Sequence, residues 1–484
     1  MKRRLFLKKG LLALAFSSVG PTGLFLPGKS GMLYSAEAQG FSTPLPIPPL
    51  LENLDKEGKN ARFEMAVQKG SMDFFPGNPT GTLGYNGNFL GPTIRVKNGQ
   101  RFRIKVKNRL SQTTTLHWHG LHVPAKWDGG PRQPIAAGSS WEPDFVINQE
   151  AATLWYHPHA MGLTGEQVYN GLAGMFIIED SFTDQLDIPK NYGIDDIPLI
   201  IQDRRFFSNG QFAYAQNMHD VINGVIGNHL LVNGTLQPTF EVPNSLVRFR
   251  LLNGSNSSIY QIGFDDQRTF HVIASDGGFL ERPVAMTSIL LSAGERAEVL
   301  VDFSKKTQNH SVSLRVKQRQ GLSFDALKII VKNAGQKAML LPKTLRPLDR
   351  IFEAESSRDR EFIMRTGMMG QRLTINGKKM DINRIDEKVK LGSTEIWEIY
   401  NRSSMMMSMP HSMHLHDVQF QILSKNGRIP PAHEQGRKDT VLIMPRETVR
   451  IIIRFNDYAG VYMYHCHLLE HEDDGMMGQF EVVG

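Results

Sequence analysis

Residues 91–108 read GPTIRVKNGQRFRIKVKN, two arms in which apolar and polar residues alternate about Asn98-Gly99. Alternation with a period of two suits an extended chain that buries one face and wets the other. The pattern returns twice. Residues 389–401, VKLGSTEIWEIYN, carry Val389, Gly392 and Asn401 at the spacing of Val96, Gly99 and Asn108. Residues 238–253, PTFEVPNSLVRFRLLN, carry Val242 and Asn253 one residue closer. Three copies of a paired-strand unit predict an all-β chain of three consecutive β-sandwiches. Runs such as FIMRT, LIIQDRRF, TSILLSAG and VRIIIRF between Gly, Pro and Asn clusters agree, and stretches of helical period are scarce. The sandwiches are expected at about 39–182, 183–345 and 346–484, linked through DQLDIPKNYGIDDIP and LPKTLRPLDRIFEAESSRDR.

The chain begins MKRRLFLKKG LLALAFSSVG, basic residues ahead of a modest apolar run, with Ala36-Glu37-Ala38 as a small-residue cleavage site. Arg3-Arg4 before Leu5-Phe6-Leu7-Lys8 resembles a twin-arginine export signal, so residues 1–38 are expected to be removed on export through the Tat machinery to the periplasm. Ser17, Ser18, Gly20 and Pro21 interrupt the run, which falls short of the roughly 20 apolar residues of a spanning helix, and no stable membrane insertion is expected. Lys2, Arg3, Arg4, Lys8, Lys9 and Lys29 against Glu37 carry five of the chain's net charge of +7. The remainder holds no excess that would call for nucleic acid. A single cysteine excludes internal disulfides, and a free thiol in an oxidising compartment is a liability unless something occupies it.

That cysteine, Cys466, lies in YHCHLLEHEDDGMM, residues 464–477, beside His465, His467, His471 and Met476. On a strand His465 and His467 face one way and Cys466 the other, so one tripeptide can serve two metal centres and join them covalently. A thiolate, imidazoles and a thioether together are the donor set of a copper site. Three further motifs contain His-x-His pairs: HWHG at His117 and His119, YHPHA at His157 and His159, and HSMHLH at His411, His414 and His416. With His465, His467 and His471 these motifs use ten of the sixteen histidines. The remaining six, His122, His219, His229, His271, His310 and His433, read as ordinary surface or core residues.

In this order, and over essentially all of residues 39–484, the motifs resemble those of the three-domain multicopper oxidases of the bacterial laccase and cuprous-oxidase (copper-efflux oxidase) group. The resemblance implies three cupredoxin-like Greek-key sandwiches and four copper ions, one type 1, one type 2 and two type 3. It implies His411, Cys466, His471 and Met476 around the type 1 ion and His117 and His414 at the type 2 ion. His119, His157, His159, His416, His465 and His467 then hold the type 3 pair. Electrons from a reductant would pass from His411 through Cys466 to His465 and His467, and O2 would become two waters. Asp128, in KWDGG, and Glu472 match the family's acidic residues near the inner site and are expected as proton donors.

The reductant is less legible. MMMSMPH sets Met405, Met406, Met407 and Met409 before His411, and REFIMRTGMMGQ adds Met364, Met368 and Met369. Thioethers are soft donors suited to Cu(I), although methionine runs also pack cores. Met364 and Met409 resemble, by position, the methionines that take substrate copper in copper-efflux oxidases. Met407 stands where those enzymes carry an aspartate, and their Met- and His-rich insert is missing. Cu(I), in copper tolerance, and phenols both stay open as substrates. Some relatives that have lost the copper ligands serve as cell-division scaffolds, whereas here every ligand position is filled. With three domains in one chain, a monomer is expected.

Overall fold

The computed structural model describes residues 40–305, 309–332, 339–367, 373–403 and 408–484. The leader, Met368, Met369, Met405, Met406 and Met407 lie outside the described residues. The described residues fold into six sheets, two for each of three successive stretches of sequence. Among the described residues no helix is long and apolar enough to cross a membrane.

The three repeats occupy equivalent places, and they correct one expectation. Their two arms do not pair with each other but enter opposite sheets of the same sandwich. Ile94–Lys97 runs parallel to Gly174–Glu179, whereas Arg101–Asn108 runs parallel to Ala61–Phe75 in the other sheet. In the middle stretch Thr239–Pro243 joins Ser323–Lys332 and Leu246–Asn253 joins Asp196–Arg204. In the last, Glu387–Lys390 joins Met477–Val483 and Thr394–Arg402 joins Arg358–Arg365. Alternation specifies which face of a strand is buried and is silent about its neighbour, so both arms bury one core from opposite sides. In the first sandwich Phe102, Ile104 and Val106 point into a core with Phe63, Trp118 and Phe176. In the third, Phe362 stacks on Trp397 at 4.4 Å among Ile399, Phe420 and Phe480.

The asparagine that closes each repeat is buried and fastens the segment that follows. Asn108 Nδ2 donates to the carbonyls of Gln112 and Ile135, and Asn253 Nδ2 to those of Ser258 and Leu291. Asn401 Nδ2 donates to the carbonyls of Met409 and Ile443, and Ile443 pairs directly with His411. The repeat thereby sets the start of the strand that carries the HSMHLH motif. Between the first and middle sandwiches the contacts are both apolar, as where Trp155 and Met175 meet Ile200 and Leu252, and polar. Arg250 bonds Asp196, Glu298 and the Thr153 hydroxyl, and Thr153 lies on Ala152–His157, the strand that ends in a motif histidine.

Candidate metal centres

Two neighbouring strands of the third sandwich, His411–Leu415 and Gly460–Cys466, place Met413 opposite Cys466 and His414 opposite His465. Side chains alternate along both. Met413, Leu415, Tyr464 and Cys466 therefore enter the core of the third sandwich, while His414 and His465 leave on the other face.

On the core side Cys466 Sγ lies 3.5 Å from Nδ1 of His411 and 3.5 Å from Nδ1 of His471, all three residues fully buried. His471 rides on the short helix Leu469–Asp473, and its Nε2–H donates to the Ile222 carbonyl of the middle sandwich at 2.8 Å. That bond leaves Nδ1 bare toward the sulfur. His411 turns its Nε2 to the Thr366 hydroxyl, 3.2 Å away, and likewise presents Nδ1. Met476 is buried in the same core, and its carbonyl accepts the Cys466 N–H. Burial pushes the Cys466 thiol up to about 12 and His471 down to about 4. A thiol so placed releases its proton to solvent only when a cation replaces it, and neutral imidazoles are ready ligands.

On the other face eight imidazoles meet, four from the first sandwich and four from the third. His117 and His119 pair across to His157 and Trp155, with Trp118 directed into the core between them. The two sets interleave: His117 stacks on His416 with centroids 3.8 Å apart, and His119 on His414 at 3.7 Å. Most rings have one nitrogen engaged. Nδ1–H of His117, His157, His414 and His465 donates to the carbonyls of Asp128, Pro158, Asp439 and Cys466 respectively. His416 Nδ1 donates to Asp128 Oδ2 at 2.8 Å, and His119 Nε2 to Asp439 Oδ1 at 3.0 Å.

The other nitrogens are then bare, and they converge. Nε2 of His117 lies 3.5 Å from Nε2 of His414, and His119 Nδ1 lies 3.4 Å from His157 Nε2. Nε2 of His159 and of His416 each lie 3.1 Å from Nε2 of His465. Both nitrogens of His467 are buried without a hydrogen-bond partner. Lone pairs facing one another out of water repel, and each unmet acceptor costs about 1–3 kcal/mol. Shared cations remove that cost, so the donor set fits bound metal. Burial, reinforced by the neighbouring imidazoles, holds His117, His119, His159, His414 and His467 well below the usual histidine range, and His157 sits at about 3. All are neutral ligands at ordinary pH.

Two carboxyl groups border this cluster. Asp128 follows the turn Ala125–Trp127; its Oδ2 holds His416 and its Oδ1 is buried without a hydrogen bond, 3.5 Å from His117 Nδ1. Glu472 places its oxygens 3.2 Å from Nδ1 of His159 and 3.2 Å from Nδ1 of His465, off the line of a formed hydrogen bond. Burial, with Asp473 alongside, raises its pKa well above the carboxylate range.

Not every residue singled out in the sequence joins these centres. Met364 is wholly buried in the third core and pairs with Ile375. Met409 is half-buried two residues before His411, and Met407 is among the residues not described. His122 is no bystander: it bonds Asp417 and Asp457 of the third domain. Asp439, Thr440, Arg296, Thr366 and the Ile222 carbonyl escaped sequence reading. None is a metal-ligand type in a ligand spacing, and a carbonyl partner leaves no trace in side-chain identity.

The fold and site define a three-domain metalloprotein in which a one-sulfur centre is joined through the main chain to an eight-histidine centre. The chain belongs to the multicopper oxidase family: that family's profiles match residues 66–182, 204–333 and 353–484. Membership implies copper as the bound metal and an oxidoreductase activity. The chain is 39% identical over 437 residues to "Multicopper oxidase mco" of Staphylococcus haemolyticus, covering 90% of this chain and 92% of that one. It is 35% identical over 461 residues to "Cell division protein FtsP" of Escherichia coli, covering 92% and 94%. The crystal structure of a laccase from Pediococcus acidilactici superposes with a TM-score of 0.86 at 37% identity, over 93% of this chain and 95% of that one.

Proposed function

We propose that this chain is a periplasmic oxidase, exported as a folded monomer through the twin-arginine route, that oxidises Cu(I) and reduces O2 to water in the service of copper tolerance. The observation that carries the reading is the convergence of bare, buried imidazole nitrogens directly behind the Cys466 thiol. Bound copper would supply one-electron chemistry that no side chain can, one ion held by His411, Cys466, His471 and Met476 and three by the eight inner histidines. The peptide links from Cys466 to His465 and His467 form the shortest connection between the two centres. Glu472, set between His159 and His465 with its pKa raised by burial, would donate protons to oxygen reduction. Asp128 orients His416 and keeps one free acceptor oxygen.

Cu(I) is preferred to phenols because soft thioethers stand before His411, with Met409 fixed by the Asn401 bond to its carbonyl. A non-catalytic role in cell division, the process named for the Escherichia coli relative, would have no use for so many pre-oriented bare nitrogens. Oxygen uptake by the copper-loaded protein tests the proposal. Cu(I) is expected to be turned over faster than dimethoxyphenol. Met409→Leu is expected to raise the KM for Cu(I) several-fold and leave phenol oxidation alone. A colourless preparation that takes up little copper would end the oxidase reading, and an unchanged KM would end the Cu(I) reading.

A further inference from the structure

The middle sandwich holds none of the ten motif histidines, yet Arg296, at the start of its strand Arg296–Asp302, reaches the heart of the inner centre. All five guanidinium N–H groups are satisfied, and they touch all three domains. Nε donates to the Thr153 carbonyl at 3.1 Å, Nη1 to the Gly294 carbonyl at 3.0 Å and Nη2 to the Asp276 carbonyl at 3.1 Å. The remaining two form a fork on Asp439, Nη1 to Oδ1 at 2.8 Å and Nη2 to Oδ2 at 2.6 Å. Both residues are fully buried. Around them Lys438 bonds Asp276 and Glu295, so the buried charges are paired.

Asp439 in turn governs two inner imidazoles. Its Oδ1 accepts from His119 Nε2 at 3.0 Å, with the Thr440 hydroxyl also 3.0 Å from that nitrogen, and its carbonyl accepts from His414 Nδ1 at 2.9 Å. One residue thus sets which nitrogen is bare on a ring from the first domain and on the ring from the third that stacks against it. The fit leaves no slack. Gly120, directly after His119, has φ +86°, and a Cβ there would lie 2.4 Å from Asp439 Oδ2 and 2.6 Å from Arg296 Nη2. At Gly294, φ +87°, a Cβ would lie 2.9 Å from His467 Nδ1.

We propose that Arg296 is a positioning residue of the inner centre, which through Asp439 fixes the orientation and tautomer of His119 and His414, so that the ligand-free middle domain sets the inner affinity for copper. The proposal rests on the multicopper reading above. A planar fork is needed because it holds both carboxylate oxygens in one orientation, which a lysine point charge does not. Loss of such an outer partner typically weakens metal binding about 10–100-fold.

Copper is titrated into the copper-free full chain, and into Arg296→Lys and Asp439→Asn, against a competing Cu(I) chelator. Copper per chain, the blue absorption of the Cys466 centre and the paramagnetic resonance of the inner copper are recorded. The expected result is a loss of inner-copper affinity of about 10–100-fold in both variants, with an altered inner resonance and unchanged blue absorption. Wild-type affinity and resonance in a folded Arg296→Lys would overturn the proposal. So would failure of both copper-free variants to fold, which would assign the pair to folding alone. A wild-type chain that takes up no inner copper would instead bring down the oxidase reading itself, and this inference with it.

Discussion

The two centres sit back to back and are built in opposite ways. The sulfur centre draws His411, Cys466 and His471 from one domain and lies in that domain's own hydrophobic core. The histidine centre exists only where two domains meet, with rings of the first stacked on rings of the third. Anything that loosens docking of the first domain on the third should therefore empty the inner centre and spare the outer one, whereas damage to the third core should do the reverse. The main-chain link through Cys466 makes activity depend on both.

The harshest break is at the shared tripeptide. Cys466→Ser is expected to abolish the blue absorption and to lower oxygen uptake with any reductant by more than the roughly 100-fold attached to lost outer partners. Inner copper should be retained, as resonance and metal analysis would reveal. Residual colour would show that the sulfur is not the outer ligand. Next in size is a change confined to the inner side. Glu472→Gln keeps the shape of the group and removes its proton, and is expected to slow oxygen reduction by about 10²–10⁴-fold while the outer centre accepts electrons at the normal rate. Stopped-flow reduction under anaerobic conditions, followed by admission of oxygen, separates the two steps. Equal reoxidation rates would take Glu472 out of the proton path.

The outer and inner centres also differed in how far they could be read from the sequence. Strand alternation was enough to send Cys466 one way and His465 and His467 the other, because period two is a property of the backbone itself. Likewise the spacing of Val, Gly and Asn in the repeats declared three similar units. Alternation does not name a strand's neighbour, so the crossing of the two arms between sheets was hidden. Position along the chain suggested a substrate role for Met364 and could not show that its side chain is buried in the third core. The Arg296–Asp439 fork joins residues remote in sequence, and His122 finds Asp417 and Asp457 only after the first and third domains dock.

That last contact offers the mildest way to pull the two centres apart. His122 Nδ1 lies 2.9 Å from Asp417 Oδ1 and its Nε2 lies 3.1 Å from Asp457 Oδ2, with the Tyr458 ring at 4.6 Å. Burial alone would lower its pKa, yet the hydrogen bonds and charge of Asp417, helped by Asp457, raise it to about 9. Asp417, raised by burial to about 6, is itself ionised above that pH. Between about 6, above which Asp417 is ionised, and the ordinary histidine value of 6.5, both the folded and the unfolded chain hold the proton on His122, and the contact contributes in full. As pH rises from there through about 9 the unfolded chain gives up that proton while the folded chain keeps it, so stability falls, and beyond about 9 the contribution is gone. A shift of this size corresponds to about 3 kcal/mol. The copper-free chain is accordingly expected to melt at lower temperature at pH 9 than at pH 6.5, with His122→Gln reducing that slope. In the loaded protein, mild alkali should release inner copper before the blue colour fades. If colour and inner copper are lost together, or if the slope survives in His122→Gln, then docking of the first domain on the third does not hold the inner centre together through this pair.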